Sequence, residues 1–519
     1  MDQLFRSSEE QAEPVQAVVK GDFPSWLQGS FVRLGPGKFE LGKTGDFMMN
    51  HWFDGYAILY KFDIKNGKVT FSKRFLQSDA YKRAVCVGRP VFTEYGTRSY
   101  PDPCKNIFSR MMSSLIPDVT DNNVIGLYTM EDSMYVASET SILIRVDPKD
   151  LKTHEKTDLG KFVGLNIASS HVVKDEKGTS YCLGSSILSG IKHHIVKIPQ
   201  SPSGKANDAW KKAKVLANIP SPYKVNYNYY HSFGMSPNYF VLIEQPMLVN
   251  AMKLISLPLK GKALKECMEW HPEEESRFVV IEKGSGKIVP VKYKSSAPFF
   301  LFHHINTYEE DGHLIVDIIA YDSPELLDKL YLEQLRSNEF HYSDLGGGRR
   351  FILPLPKDGE TINEMKANTN LVTLKGTKAT ALKVGDAVTL TCEIISEPGY
   401  DLPTMNNSYY GKKYKYFYAV GLFNVGGYQN SIVKVNTLTG EVTTWKEGPY
   451  TFAGEVQFIP RTSGSTQVEE DDGILLSCIT DIRREEPDYL LILNAKDLTE
   501  IARAEVSVQV PIAIHGIFI

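Results

Sequence analysis

The chain has 519 residues, 42% hydrophobic and 11% aromatic, enough for a large core, and its 58 basic and 62 acidic side chains leave a net charge of −4. That balance offers no broad basic field for nucleic acid. Six cysteines (Cys86, Cys104, Cys182, Cys267, Cys392, Cys478) lack Cys-x-x-Cys spacing and fit a reduced intracellular compartment, and no window reaches the roughly 18 uninterrupted apolar residues of a membrane span.

Residues 1–12 are acidic, lack the apolar run of a signal peptide and the Arg-rich pattern of a mitochondrial presequence, and are expected to be flexible. Beyond them the texture is short β runs separated by turns. Lys61–Val69, Arg145–Leu151, Val280–Ile288, Lys434–Val442 and Leu493–Leu498 each read as a strand, an acidic or amide residue, a short turn and a second strand. Ile107–Ile116 is apolar enough to lie on a membrane surface with Lys105 and Arg110 toward headgroups, or to pack as a core helix or loop. Leu254–Leu259, flanked by Lys253, Lys260 and Lys262, is a second candidate contact, and helical pattern is clearest from Ser323 to Leu335. Hairpins recurring through a whole chain are what propeller blades look like after their sequences diverge. A pair of β-sandwiches is the alternative, disfavoured because no Pro/Gly/Ser linker divides the chain.

Four histidines sit in or at the end of apolar runs: Ile167-Ala168-Ser169-Ser170-His171, Tyr229-Tyr230-His231-Ser232-Phe233, Phe299-Phe300-Leu301-Phe302-His303 and Ile512-Ala513-Ile514-His515-Gly516. A buried imidazole needs a partner for each ring nitrogen, and a metal on one with a carboxylate on the other meets both needs. Any one of them alone is more often a satisfied core histidine. Their wide separation rules out a local zinc knuckle, so they would have to converge from distant strands. His304 is also flanked by apolar residues, but neighbours on a strand face opposite sides, so His303 and His304 cannot both serve one centre. Four neutral imidazoles suit a borderline divalent metal such as iron, with buried carboxylates expected behind them. Glu139 and Glu455 lie in otherwise uncharged apparent strands, where an unpaired carboxylate would be costly.

These contexts, with Arg33-Leu34-Gly35-Pro36-Gly37, Asn50-His51-Trp52-Phe53-Asp54-Gly55, Tyr100-Pro101-Asp102-Pro103-Cys104-Lys105 and Phe302-His303-His304-Ile305-Asn306-Thr307-Tyr308-Glu309, resemble the animal carotenoid cleavage oxygenases. That family includes the β-carotene oxygenases and the retinoid isomerohydrolase of the retinal pigment epithelium. The resemblance runs from about Glu13 to Ile519 in preserved order. It implies an all-β protein, one domain over residues 1–519: a seven-bladed β-propeller with a dome of loops and helices over an axial iron site. His171, His231, His303 and His515 match the family's Fe(II) ligands, and Glu139 and Glu455 match two of the three carboxylates behind them. The third position is Asp401-Leu402-Pro403 where the family usually has Glu. Being one methylene shorter, Asp401 is expected to reach its imidazole through a bridging water or to be an ordinary turn residue.

The implied reaction is oxidative scission of a conjugated C=C bond by O2, with one oxygen atom on each of two aldehydes. Phe53, Phe299, Phe302 and Tyr230 are candidate neighbours of the site. Central 15,15′ cleavage of β-carotene to retinal is preferred, because Asn166–His171, Ile116–Asn122 and Tyr308–His313 look more like the symmetric enzymes. Gly35–Glu40, Gly411–Tyr414 and Arg503–Pro511 look more like the eccentric 9′,10′ enzymes. A retinyl ester isomerohydrolase and, more remotely, a metal-free lipid- or protein-binding propeller are the other readings. The expected partners are a carotenoid or retinoid, O2 and a peripheral membrane surface, with no nucleic acid. Membrane contact is assigned to Ile107, Phe108, Met111, Met112, Leu115 and Ile116, and Cys104 matches an acylated cysteine of some relatives. The expected location is cytoplasmic, peripheral on intracellular membranes.

Overall fold

At Asn66-Gly67 the backbone takes φ of 52° and 72°, and the chain reverses between strands Tyr56–Lys65 and Lys68–Phe75. Two consecutive positive φ values give the turn whose twist matches a right-twisted hairpin, and Asn-Gly accepts them with least strain. The computed structural model, which describes residues 1–103, 119–187, 190–337, 343–357, 364–421, 430–461, 469–483 and 485–519, has the same pair of positive φ values at Asp311-Gly312, between strands Phe300–Glu310 and His313–Tyr321. Predicted hairpins also appear as Ile142–Val146 with Thr153–Asp158, Ser431–Asn436 with Val442–Trp445, and Asp488–Asn494 with Glu500–Val506. At 280–288 the expected second strand shrinks to a single bridge between Ile281 and Ile288.

Almost all the pairing is antiparallel, and several inner strands, such as His313–Tyr321 and Gly473–Asp481, are buried on both faces. The clusters explain why. Phe31, Tyr60 and Phe62 pack on Ile474, Leu490 and Ala502 of the neighbouring sheet. The opposite face of the first sheet sets Val32, Leu34 and Leu59 on Val136 and Ile144. The first sheet is thus packed on both faces, and its inner strands Gly29–Lys38 and Tyr56–Lys65 are buried along most of their length instead of alternating.

The two chain ends are sewn into shared sheets. His515–Phe518 pairs with Gly29–Lys38, in a register that sets Leu34 opposite His515, and Val18–Gly21 pairs with Glu500–Val506. A loose tail at residues 1–12 is not what the structure has. Leu4 and Phe5 are buried, Ser8 accepts a hydrogen bond from Lys73 Nζ at 2.8 Å, and Gln11–Gln16 pairs with Lys68–Phe75, because burial of two large apolar side chains offsets the cost of ordering the tail.

The single helix expected over Ser323–Leu335 is two short ones, Glu325–Lys329 and Leu332–Arg336. Between them the backbone binds another segment: Trp52 N–H donates to Leu330 O, and Leu332 N–H donates to Asn50 O. His51 lies at this junction, fully buried, with Nε2–H donating to Leu327 O at 2.9 Å and Nδ1 accepting from Phe53 N–H at 3.1 Å. Both nitrogens are satisfied by the neutral ring, and burial pushes its pKa down to about 3. The unfolded chain protonates this residue near pH 6.5 and the folded one does not, so its stabilisation is full above pH 6.5 and is lost as pH falls toward 3. The full loss is on the order of 5 kcal/mol. Denaturant midpoints measured across that range should fall with pH, and His51→Gln should remove one proton's share of the slope; an unchanged slope assigns it elsewhere.

Candidate metal centre and tunnel

The four histidines come from separate stretches of sheet. His171 lies between strands Ile167–Ala168 and Val173–Lys174, His231 between Asn226–Asn228 and Gly234–Met235, His303 in Phe300–Glu310, and His515 begins His515–Phe518. Their candidate ligand nitrogens all lie within 4.8 Å of one another. Close backbone approach makes this convergence feasible. Gly126 lies against the residue before His171, where an added Cβ would sit 2.6 Å from both the Cβ and the carbonyl oxygen of Ser170. Ser169 Oγ donates to the His231 carbonyl, tying two of the histidine-bearing segments together.

Behind three of the rings stands a carboxylate. Glu139 Oε1 is 2.6 Å from His231 Nδ1, Asp401 Oδ1 is 2.7 Å from His303 Nδ1, and Glu455 Oε1 is 2.7 Å from His515 Nδ1. A carboxylate oxygen there requires the proton on Nδ1, which turns the Nε2 lone pair toward the common centre. Each carboxylate is held in turn: Tyr229 Oη donates to Glu139 at 2.9 Å, Tyr321 Oη to Asp401 at 2.7 Å, and Arg33 Nη1 to Glu455 at 2.8 Å.

Asp401 makes its contact directly, not through the water its short side chain led one to expect. The strand Asp401–Thr404 is irregular against its neighbour and Leu402 has φ of 56°, so the backbone supplies the approach. Glu139 and Glu455, expected within strands, instead occupy the breaks after Ser133–Ala137 and Thr451–Ala453. With Asp401 only 2% exposed, Asp401→Ala should lower metal affinity about 10- to 100-fold. Metal retention against a competing chelator measures it, and unchanged retention would return Asp401 to a turn role.

The electrostatics favour a cation at the centre. Burial, and then the neighbouring imidazoles, push His171 and His231 well below the ordinary range, leaving neutral rings with lone pairs available. His303 Nε2 and His515 Nε2 are buried without a hydrogen-bond partner among the described residues, while the Nε2 atoms of His171 and His231 face each other at 2.8 Å. A divalent cation held by these four residues would give each of these nitrogens a partner. Burial works to raise Glu455, but His515 and Arg33 more than offset it and hold the carboxyl below its usual range. Glu139 is pushed up to about 8 by burial. Its side chain is 27% exposed, against 2% for Asp401, and what it faces is a cavity.

That cavity has a volume of about 1110 Å³ including its open mouth. His231, His303 and His515 form part of its wall, which is otherwise mostly apolar, with Trp52, Phe53, Ile125, Met268, Phe302 and Leu327 among its residues. Of the aromatic neighbours expected from sequence, Phe53 and Phe302 line it. Phe299 instead packs on Phe278 and Phe351, and Tyr230 turns away to bond Ser185. Sequence reasoning missed Tyr229, Tyr321 and Arg33; only Arg33 left a sign, a charge inside the apolar run Phe31-Val32-Arg33-Leu34. His304 bonds Ser232 Oγ at 2.9 Å through Nδ1. Cys104, Ile107, Phe108, Met111, Met112, Leu115 and Ile116 lie outside the described residues.

Fold and site together define a β protein whose distant loops build a four-histidine, carboxylate-backed centre at the wall of an apolar cavity. The family profile described as retinal pigment epithelial membrane protein matches residues 4–519. The chain is 37% identical over 531 residues to human β,β-carotene 15,15′-dioxygenase, covering 100% of this chain and 95% of that one. It is 35% identical over 533 residues to the mitochondrial carotenoid-cleaving dioxygenase of Mustela putorius furo, covering 99% and 96%. Its fold matches cobalt-substituted Synechocystis apocarotenoid oxygenase with a TM-score of 0.76 at 22% identity, over 100% of this chain and 98% of that structure. The chain belongs to the carotenoid oxygenase family.

Proposed function

We propose that the protein is a carotenoid dioxygenase that cleaves the central 15,15′ double bond of β-carotene to two molecules of retinal, using Fe(II) held by His171, His231, His303 and His515. The observation that carries the reading is the convergence of four imidazoles at the wall of a largely apolar cavity. Relatives named β,β-carotene 15,15′-dioxygenase at 37–38% identity, from human to chicken, support the central bond. The architecture in this reading is one propeller domain over residues 1–519 with seven blades, each giving the centre one residue of the set Glu139, His171, His231, His303, Asp401, Glu455 and His515. In this reading the dome includes Leu264, Met268, Leu326 and Leu330, which line the cavity.

Fe(II) bound there would supply the redox chemistry through which O2 reacts. The chain's own residues do the rest. Glu139, Asp401 and Glu455 hold the protons on three Nδ1 atoms and fix the ring orientations. Trp52, Phe53 and Phe302 exclude water and flank a flat conjugated chain. The balance is one C=C bond broken, one O2 consumed and two C=O groups formed. Incubating the iron-loaded protein with β-carotene and O2 and identifying the products tests it. Retinal alone supports central cleavage, an apo-10′-carotenal with an ionone moves the protein to the eccentric enzymes, and retinol from a retinyl ester without O2 uptake moves it to the isomerohydrolases. A purified protein with no metal leaves a lipid- or protein-binding propeller.

The same reading draws substrate from a peripheral membrane surface on the cytoplasmic side, through Ile107, Phe108, Met111, Met112, Leu115 and Ile116, with Cys104 as a lipidation candidate. In its support, helix Ala251–Lys260 exposes Met252 at 61% and Ile255 at 37%, and carries Lys253 and Lys260. No described helix is long and apolar enough to cross a membrane. Liposome co-sedimentation should drop in a Phe108→Ser, Leu115→Ser double variant; equal binding removes the membrane claim.

A further inference from the structure

Three of the four converging histidines have a carboxylate on Nδ1, and His171 has none. Among the described residues the one group within hydrogen-bond distance of its ring is Nε2 of His231, at 2.8 Å. A ring with no outer partner is free to turn about its side-chain bonds. Its lone pair reaches the common centre only if the backbone that carries it is fixed.

Ser169 supplies that restraint. Its Oγ accepts the N–H of His171, two residues on, at 3.0 Å, the local turn that serine side chains favour. The same hydroxyl donates its proton to the carbonyl oxygen of His231. With one proton and two lone pairs, a serine hydroxyl makes both bonds at once. Ser169 is buried, and its own N–H donates to Leu183 O at 2.8 Å, which anchors it to strand Ser180–Ser186. One buried hydroxyl thus joins the main chains of two converging histidines, and one of the two is the histidine without a carboxylate. A second joint lies farther out. Ser185 O accepts from Asn166 N–H at 2.8 Å, and Ser185 Oγ lies 2.8 Å from Tyr230 Oη and 2.9 Å from His193 Nδ1. Ser185 therefore links the same two segments without a hydrogen bond to His171 or His231.

We propose that Ser169 is the positioning residue for His171: through the backbone it does for that ring what Glu139, Asp401 and Glu455 do for the other three through Nδ1, and it sets the spacing of His171 from His231. This rests on the reading of the four histidines as a metal centre. Ser169 touches neither metal nor substrate, and it acts through the two histidines it joins.

The test is metal binding by the full chain, loaded with iron and, in a parallel preparation, with cobalt(II), whose visible absorption reports the geometry of its ligands. Retention against a competing chelator and the cobalt band are read for the wild type, Ser169→Ala and Ser185→Ala. Ser169→Ala should hold iron about tenfold less tightly, the lower end of what losing an outer partner of a metal-binding histidine costs. Its cobalt band should change as well, because one imidazole is displaced. Ser185→Ala, which loosens the same segments away from the rings, should lose less and keep the wild-type band. If Ser169→Ala does not fold, Ser169→Cys, which keeps the size and weakens both bonds, is read in its place. Wild-type retention with an unaltered band in the Ser169 variant overturns the proposal while the metal centre stands. An equal loss in the Ser169 and Ser185 variants also overturns it, since a general tie between the segments then accounts for both. A wild type that holds neither iron nor cobalt fells the metal-centre reading and the proposal with it.

Discussion

His231→Ala is expected to lose both its iron and its turnover. The side chain supplies one of four converging nitrogens, and its removal also leaves Glu139 without the ring it orients, so a carboxyl already pushed up to about 8 by burial faces an emptied wall. The loss of metal affinity should exceed the roughly 10- to 100-fold that follows removal of an outer partner such as Asp401. Iron per chain and product formed from β-carotene are the two readouts. A His231→Ala protein that keeps full iron and full turnover sinks the ligand assignment. His304→Ala is the matched control. That ring is also buried and follows His303 directly, but it bonds Ser232 and not the cluster, so its loss should be much milder.

Arg33→Met should be among the most damaging single changes outside the ligands. The guanidinium is fully buried and pairs with Glu455 at 2.8 Å, while Glu455 also holds His515 Nδ1 and the N–H of Gly516. Removing one partner of a buried pair leaves a charge with no compensation, which typically costs about 3–5 kcal/mol, whereas removing both partners together costs much less. Chemical denaturation should therefore show a large loss for Arg33→Met and a partial recovery when Glu455→Gln is added. Iron retention should fall in the single variant, because an unsupported Glu455 no longer fixes the His515 ring. If the two changes are simply additive, the pair is not coupled and Arg33 serves only as packing.

Much of this protein is legible in the order of its residues. Alternating short strands with Asn-Gly and Asp-containing turns marks a chain of hairpins, because turn geometry is set by φ preferences local to two residues. The four converging histidines are marked by the apolar company each keeps, since burial imposes a partner on a polar ring wherever the ring goes. The carboxylates Glu139, Asp401 and Glu455 are legible for the same reason, once a family resemblance says which of the chain's 62 acidic residues to consider.

Where local rules conflict with long-range pairing, the tertiary structure prevailed. The helical pattern from Ser323 to Leu335 breaks because the Leu330 carbonyl and Leu332 N–H bind residues near His51, a partner some 280 positions away that no window contains. The direct contact of Asp401 came from an irregular strand that moved its backbone, which side-chain length cannot foretell. Phe302 reaches the cavity while Phe299 enters a core between sheets, a choice made by strand register and bulges and not by either residue's character. The outer partners Tyr229 and Tyr321 likewise belong to the fold alone, whereas Arg33 left a charge inside an apolar run. The sequence by itself determined which side chains must find partners; only the closing of distant strands onto one centre decided which partners they found, because contacts between residues hundreds of positions apart leave no periodicity in the chain.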